Sequence, residues 1–173
     1  MRVPLPIQSE RLTIRGFLPE ADAEAMLTVY GDPEVMRFIP GGAFRGIDTM
    51  RSRLKTYVSA SSRRGFSSWA VVERESGRVI GDAGFGIFQP TGDIELGYTL
   101  ARDCWGRGYA TEAAGACLAA GLEHLGAPRI IALVDEENLA SLRVAERIGM
   151  TRLETIEAHY RPHVLFEARS EPS

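Results

Sequence analysis

The stretch Cys104-Trp-Gly-Arg-Gly-Tyr-Ala-Thr-Glu-Ala113 constrains the fold of this chain more than any other. It is a glycine-rich turn that runs without a break into a helix of small residues, Ala110 to Leu125, closed by Gly126 and Pro128. Arg129-Ile-Ile-Ala-Leu-Val134 follows as a continuous apolar strand, the kind buried on both faces. With Ile94-Glu-Leu-Gly-Tyr-Thr-Leu100 as a strand before the turn, the order strand, helix, strand predicts a right-handed parallel crossover. The many alanines and glycines of the helix predict close approach to the sheet rather than a membrane face.

The flanking sequence adds antiparallel strands. Arg11-Leu-Thr-Ile-Arg15 alternates with period two, and Pro19-Glu-Ala-Asp22 opens a helix to about Tyr30. A short helical turn is predicted from Glu34 to Ile39, broken at Pro40-Gly41-Gly42, and a second helix from Asp48 to about Ala60. Ser68 to Glu73 and Arg78 to Phe88 read as a hairpin turning at Ser76-Gly77, and Thr91-Gly92-Asp93 leads into the strand at Ile94. Asn138 is positioned to cap a helix running to Ile148, with Gly149 at its C′ position. Strands around Thr151 to Ile156 and His163 to Ala168 finish the chain. The expected fold is α+β. It is a mixed, mostly antiparallel central sheet of about seven strands, with one parallel pair, flanking helices and a single domain over 1–173.

Charge and cysteine usage narrow the function classes. Acids outnumber bases 23 to 20, so the balance supplies no general attraction to nucleic acid or anionic lipid. Cys104 and Cys117 are too few for a disulfide framework or a four-ligand zinc site, and His124, His159 and His163 show no metal spacing. The start, Met1-Arg-Val-Pro-Leu-Pro6, has no apolar stretch of signal-peptide length. A cytoplasmic protein without metal, nucleic-acid or membrane partners is expected.

The turn at 104–113 has the makings of an anion cradle. Glycines let successive N–H groups point into one concavity, and the first helical turn adds unpaired donors and the positive end of a dipole. Thr111 stands where the dinucleotide fingerprint needs Gly or Ala, and no Gly-Lys-Ser/Thr of a P-loop is present. From the residues alone, a pyrophosphate cradle and an ordinary turn both stand.

Trp105-Gly-Arg-Gly-Tyr-Ala-Thr-Glu-Ala113 resembles motif A of the GNAT superfamily of N-acetyltransferases. Gly108 and Ala110 match the core of that motif, while Trp105 replaces the usual Arg or Gln, as in the branch similar to ribosomal-protein N-terminal acetyltransferases. Ile94-Glu-Leu-Gly-Tyr98, Asn138-x-x-Ser141, Arg147-Ile-Gly-Met150 and Glu10-Arg-Leu-x-Ile-Arg15 extend the resemblance over nearly the whole chain. It implies acetyl-CoA as co-substrate, no metal, and a primary amine as acceptor. The implied cofactor loop is Trp105, Gly106, Arg107, Gly108, Tyr109, Ala110 and Thr111, with backbone N–H groups from Arg107 to Ala110 on the diphosphate. Further contacts are implied at Tyr98 and Leu100, on the strand that splays from its parallel neighbour, and at Asn138 and Ser141. For the last two, helix capping alone is an equal reading.

Acetyl transfer needs a neutral amine, a polarised carbonyl and a proton for the leaving thiolate. A lysine amine titrates near ~10.4 and an α-amine near ~7.7–8.0, so a weak base suffices for the latter. Glu95 is the candidate base, or else a structural glutamate between strands. Backbone N–H groups between Gly97 and Thr99 can meet the oxyanion. Alignment on Asn138 and Gly149 puts Ala145 where the superfamily commonly has a tyrosine acid, which leaves Tyr98, Tyr109 and Tyr160 as donors or packing aromatics. The segment 31–66 and the last hairpin are expected to choose the acceptor. A peptide or protein N-terminus comes first, then a small amine, amino acid or antibiotic. A non-catalytic acyl-CoA sensor is the reading from another class, and a homodimer is left open.

Overall fold

The computed structural model describes residues 1–170. The elements are β1 (Ile7–Gln8), β2 (Leu12–Arg15), α1 (Pro19–Tyr30), α2 (Ile47–Arg64), β3 (Ser68–Glu73), β4 (Val79–Phe88), β5 (Asp93–Leu100), α3 (Tyr109–His124), β6 (Arg129–Asp135), α4 (Leu139–Arg147), β7 (Thr151–Ala158) and β8 (Arg161–Arg169), with a short 3₁₀ turn at Arg102–Cys104. One sheet takes all eight strands in the order β1-β2-β3-β4-β5-β6-β8-β7, antiparallel except between β5 and β6. Among the described residues no helix is long and apolar enough to cross a membrane.

The mixed α+β architecture is as expected, with differences that have local causes. The eighth strand is β1, two residues wedged behind Pro4 and Pro6 and too short to carry a periodic signal. The predicted helical turn at Glu34 to Ile39 is a run of turns instead: Asp32 caps it, accepting the Glu34 N–H at 2.9 Å, but the backbone bonds that follow, Met36 N–H to the Asp32 carbonyl and Ile39 N–H to the Met36 carbonyl, do not continue as one helical series before Pro40. Helix α2 runs four residues past Ala60 to Arg64 and stops at Gly65, whose φ of 83° and N–H bond to the Ser61 carbonyl end it in the left-handed conformation.

Strand register sorts the side chains of β4 and β5 onto two faces. Asp82↔Thr99, Gly84↔Gly97 and Gly86↔Glu95 share one face, while Gly81↔Leu100, Ala83↔Tyr98 and Phe85↔Leu96 share the other. Helix α1 covers the first face, where the Tyr30 hydroxyl donates to buried Asp82 at 2.9 Å. Helix α3 covers the second. Phe85 there packs edge-on against Trp69 and Phe66, with centroids at 5.8 and 6.3 Å.

Helix α3 approaches that face closely because its inner residues are small: Ala113, Ala114, Cys117 and Gly121 are all buried. Gly121 sits on the Phe85 ring. A Cβ there would stand 2.5 Å from Phe85 Cζ and 2.8 Å from Ile130 Cδ1. At Gly115, on the same helix, a Cβ would meet Ile148 at an ordinary 3.5 Å. Gly121→Val should therefore cost about 1–3 kcal/mol in urea unfolding through overpacking. Gly115→Ala should gain about 0.5–1 kcal/mol from helix propensity. Equal effects at both positions would mean that α3 is not held at contact distance by Gly121.

Candidate functional site

The only parallel pairing among the described residues is brief. β5 and β6 are in register at Ile94↔Ile130 and Glu95↔Ile131 and nowhere further, although β5 stays paired with β4 to Leu100 and β6 with β8 to Asp135. The two strands therefore part beyond Glu95. Their closed end is clamped by Arg129, whose guanidinium donates to both Asp93 oxygens at 2.9 and 2.7 Å and reaches Glu167 on β8 at 3.3 Å. Those bonds hold the Asp93 carboxyl below the usual carboxylate range.

Backbone alternation identifies which groups of β5 face the gap. The Ala101 N–H donates to Ile80 on β4, so Thr99 and Gly97 also turn their polar groups to β4, while Leu96, Tyr98 and Leu100 turn theirs toward β6. Of the expected oxyanion donors between Gly97 and Thr99, only Tyr98 is on the correct side. The Leu100 carbonyl is already engaged, accepting the Trp105 indole N–H at 3.0 Å. Trp105 is half exposed and ties the glycine turn to the end of β5.

The turn is built as the sequence predicts. Gly106 and Gly108 have φ of 73° and 79°, a region costly for any residue with a Cβ, and a Cβ at Gly106 would face open space. Gly108 caps α3 with no side-chain hydrogen bond, and the first helical bond is Glu112 N–H to the Gly108 carbonyl at 3.1 Å. The N–H groups of Tyr109, Ala110 and Thr111 are thus left without helical partners, at the positive end of a helix of 16 residues.

Below the turn lies a network that sequence reasoning missed. One Glu112 oxygen accepts from the Arg11 backbone N–H and the Ser9 hydroxyl, both at 2.7 Å, and the other from Arg11 Nε at 2.8 Å. Arg11 also donates to the Arg107 carbonyl at 2.8 Å. The buried Tyr109 ring lies between two guanidiniums, Arg11 at 4.4 Å and Arg107 at 4.7 Å, and its hydroxyl donates to Glu73 at 2.6 Å. Arg107 bends back to that same Glu73 oxygen at 3.3 Å. Arg107 and Arg102 are thus committed to Glu73 and Asp32, which leaves the concavity to backbone donors.

Glu95 and Tyr98, three residues apart on one strand, project from opposite faces. Glu95 has no hydrogen-bonding or ionic partner among the described residues, and burial pushes its carboxyl up to about 7. Tyr98 reaches across to α4, donating to the Ser141 carbonyl at 3.2 Å; burial pushes its phenol up to about 12. Ala145, buried one turn along α4, carries no hydroxyl, so Tyr98 brings one to this part of the helix from the sheet. Asn138 caps α4 as predicted, accepting the Ser141 N–H at 3.2 Å through its Oδ1. Cys104 and Cys117 are buried packing residues. Of the histidines, His163 is buried and His159 is exposed in the last turn, with ring centroids 5.7 Å apart.

The comparisons converge on one family. Residues 11–151 match the acetyltransferase (GNAT) domain. The N-acetyltransferase YnaD of Bacillus subtilis is 32% identical over 84% of this chain and 82% of its own. The crystal structure of a GNAT-family acetyltransferase from Bacillus anthracis superposes with a TM-score of 0.84 at 28% identity, covering 97% of this chain and 100% of that one. The ribosomal L7/L12 alpha-N-protein acetyltransferase RimL, solved in complex with coenzyme A, shares the fold with a TM-score of 0.81 at 15% identity, covering 95% and 98%.

A carboxyl raised by burial destabilises the fold once it ionises. The unfolded chain releases the Glu95 proton near the ordinary value of 4.5 and the folded chain near 7, so this contribution to stability falls as pH rises through that window. Glu95→Gln removes the penalty. Its unfolding midpoint relative to the parent should rise steadily between pH 5 and pH 8; a difference that stays flat across that range would show that Glu95 is not desolvated.

Proposed function

This chain belongs to the acetyltransferase (GNAT) domain family, and on that premise we propose that residues 1–173 act as one acetyl-CoA-dependent acetyltransferase domain whose acceptor is the α-amine of a peptide or protein N-terminus. Acetyl transfer to an amine is the family activity. The observation that carries the finer reading is that Glu95 and Tyr98 flank the gap in the sheet from opposite faces of β5.

The cradle fits a diphosphate. The free N–H groups of Tyr109, Ala110 and Thr111, with the curled backbone of Gly106, Arg107 and Gly108, form an all-backbone donor set with no side-chain cap competing for it. Trp105 keeps this set fixed to the end of β5. The free Tyr98 carbonyl and Leu100 N–H suit the amides of a pantetheine arm lying where a strand would otherwise pair, and the uncommitted amide nitrogen of Asn138 and the Ser141 hydroxyl stand at the α4 side of that gap. Bound acetyl-CoA supplies the activated acyl group as a thioester.

Residues of the chain handle the protons. Glu95, titrating near neutrality, is part-ionised at physiological pH and accepts the proton of an α-amine that itself titrates near ~7.7–8.0. The amine nitrogen forms the new C–N bond, and the Tyr98 N–H stabilises the oxygen that gains charge. As the C–S bond breaks, the Tyr98 hydroxyl, fully protonated at neutral pH and oriented by the Ser141 carbonyl, is the donor to the departing thiolate. RimL, which shares this fold, is described as acting on a protein α-amine, and two buried unpaired thiols suit a cytoplasmic setting.

Thiol release with a pool of free N-terminal peptides tests the reading. Glu95→Gln should lower kcat/KM by about 10²-fold or more and remove the limb of the pH profile near 7, and Tyr98→Phe should lower kcat without shifting that limb. Nα-blocked lysine peptides should be poor acceptors. Turnover of those peptides equal to that of free N-termini, or an unchanged pH profile in Glu95→Gln, would refute the assignment.

A further inference from the structure

On the face of the sheet that carries Glu95, the floor between β4 and β5 is bare. Gly86 and Gly97 lie there, and a Cβ at either would meet nothing within 4 Å. Glu95, paired with Gly86, stands at one end of this strip, and Asp82, paired with Thr99, at the other. Asp82 is sealed from the strip by phenols: Tyr30 donates to it, and the Tyr57 hydroxyl lies 3.4 Å from that of Tyr30.

The rim around those phenols is arginine. Arg53 stacks on Phe44 at 5.2 Å and on Tyr57 at 5.8 Å. Phe44 in turn packs edge-on against Tyr30 at 5.4 Å, and its N–H donates to the Tyr30 carbonyl, which ties the segment 31–46 to the end of α1. Further along that segment Arg37 lies over Phe38 at 5.2 Å, and Arg161 of β8 lies over the same ring at 5.8 Å. Arg161 is neutralised by Asp135 and Glu137. Arg45 follows Phe44 directly in the chain and is exposed; it, Arg37 and Arg53 have no carboxylate within 4.0 Å among the described residues, and Glu34 is the one acid of segment 31–46 left without an ion pair. Held on aromatic rings, the guanidiniums of Arg37 and Arg53 keep their planar donor edges free, the arrangement that takes a carboxylate in two parallel hydrogen bonds.

Spacing decides which part of an acceptor would meet them. Four residues separate Gly86 from Asp82 along β4, about 13 Å of strand. An extended peptide whose α-amine reaches Glu95 spans that distance by its fifth residue, so its third to fifth residues lie along the strip toward the end bordered by the phenols and arginines. We infer that the acceptor is an acidic N-terminal segment, with Asp or Glu among its third to fifth residues read by Arg37, Arg45 and Arg53. This rests on the peptide α-amine reading above and specifies its substrate class.

Three peptides with the same first two residues, and acidic, neutral or basic residues at positions three to five, test it by thiol release with acetyl-CoA. At low salt the acidic peptide should show kcat/KM at least about 10-fold above the neutral one and further above the basic one, and the spread should shrink in 0.5 M NaCl. In R37Q/R45Q/R53Q the spread should collapse, and in R37E/R45E/R53E the order should reverse, with unfolding midpoints checked for both variants. Equal kcat/KM for all three peptides, or a preference for acid that survives charge reversal, overturns this inference alone. No turnover of any of the three alongside thiol release on a small free amine overturns the peptide reading, and this inference with it.

Discussion

The Arg129–Asp93 ion pair governs the arrangement of everything else at the site. It closes the base of the parallel pair, where β5 and β6 still bond, and its bidentate geometry sets the point from which they diverge. An open sheet normally gains by pairing every strand edge. Here the Tyr98 N–H and carbonyl and the Leu100 N–H are left without a strand partner at the centre of an eight-stranded sheet, a cost that is met only if something else bonds them. The gap thus opens between two well-supported strands, each held on its far side by a full antiparallel partner.

Helix α3 follows from that gap. A long helix must lie across the sheet with its N-terminus at the open end, and the small residues along its inner face allow it to sit close enough for the first turn to reach the gap's mouth. What fixes that first turn is not the turn itself but the layer beneath it: Glu112 gripping the start of β2, and Tyr109 pressed between two guanidiniums over Glu73. Rigid support under a backbone cradle keeps its N–H groups convergent before any anion arrives, which lowers the ordering cost of binding.

Much of this was legible in sequence because it is local. The glycine turn, the helix it opens and the apolar strand after it are contiguous, and strand parity alone implies that Glu95 and Tyr98 point opposite ways. Asn138 and Gly149 read correctly as caps for the same reason. The support layer was not legible: Ser9 and Arg11 meet Glu112 across about a hundred residues of chain, and nothing in either segment names the other. Nor does local sequence pair Arg102 with Asp32 or Arg107 with Glu73, partners tens of residues away. The segment 34–39 stays a run of turns because its backbone bonds before Pro40-Gly41-Gly42 are too few to propagate a helix.

The far border of the sheet has a consequence of its own. β7 is its outer strand, eight residues long and largely exposed, and its register against β8 shifts between Arg152 and Thr155. Its solvent-facing positions include Arg152, Glu154 and Glu157. A ladder of open backbone groups this long would otherwise be a template for any stray strand, and the kink together with these exposed charges spoils it. The sheet therefore ends where it should: a nascent copy of this chain released nearby at high concentration finds no straight, uncharged border along which to polymerise.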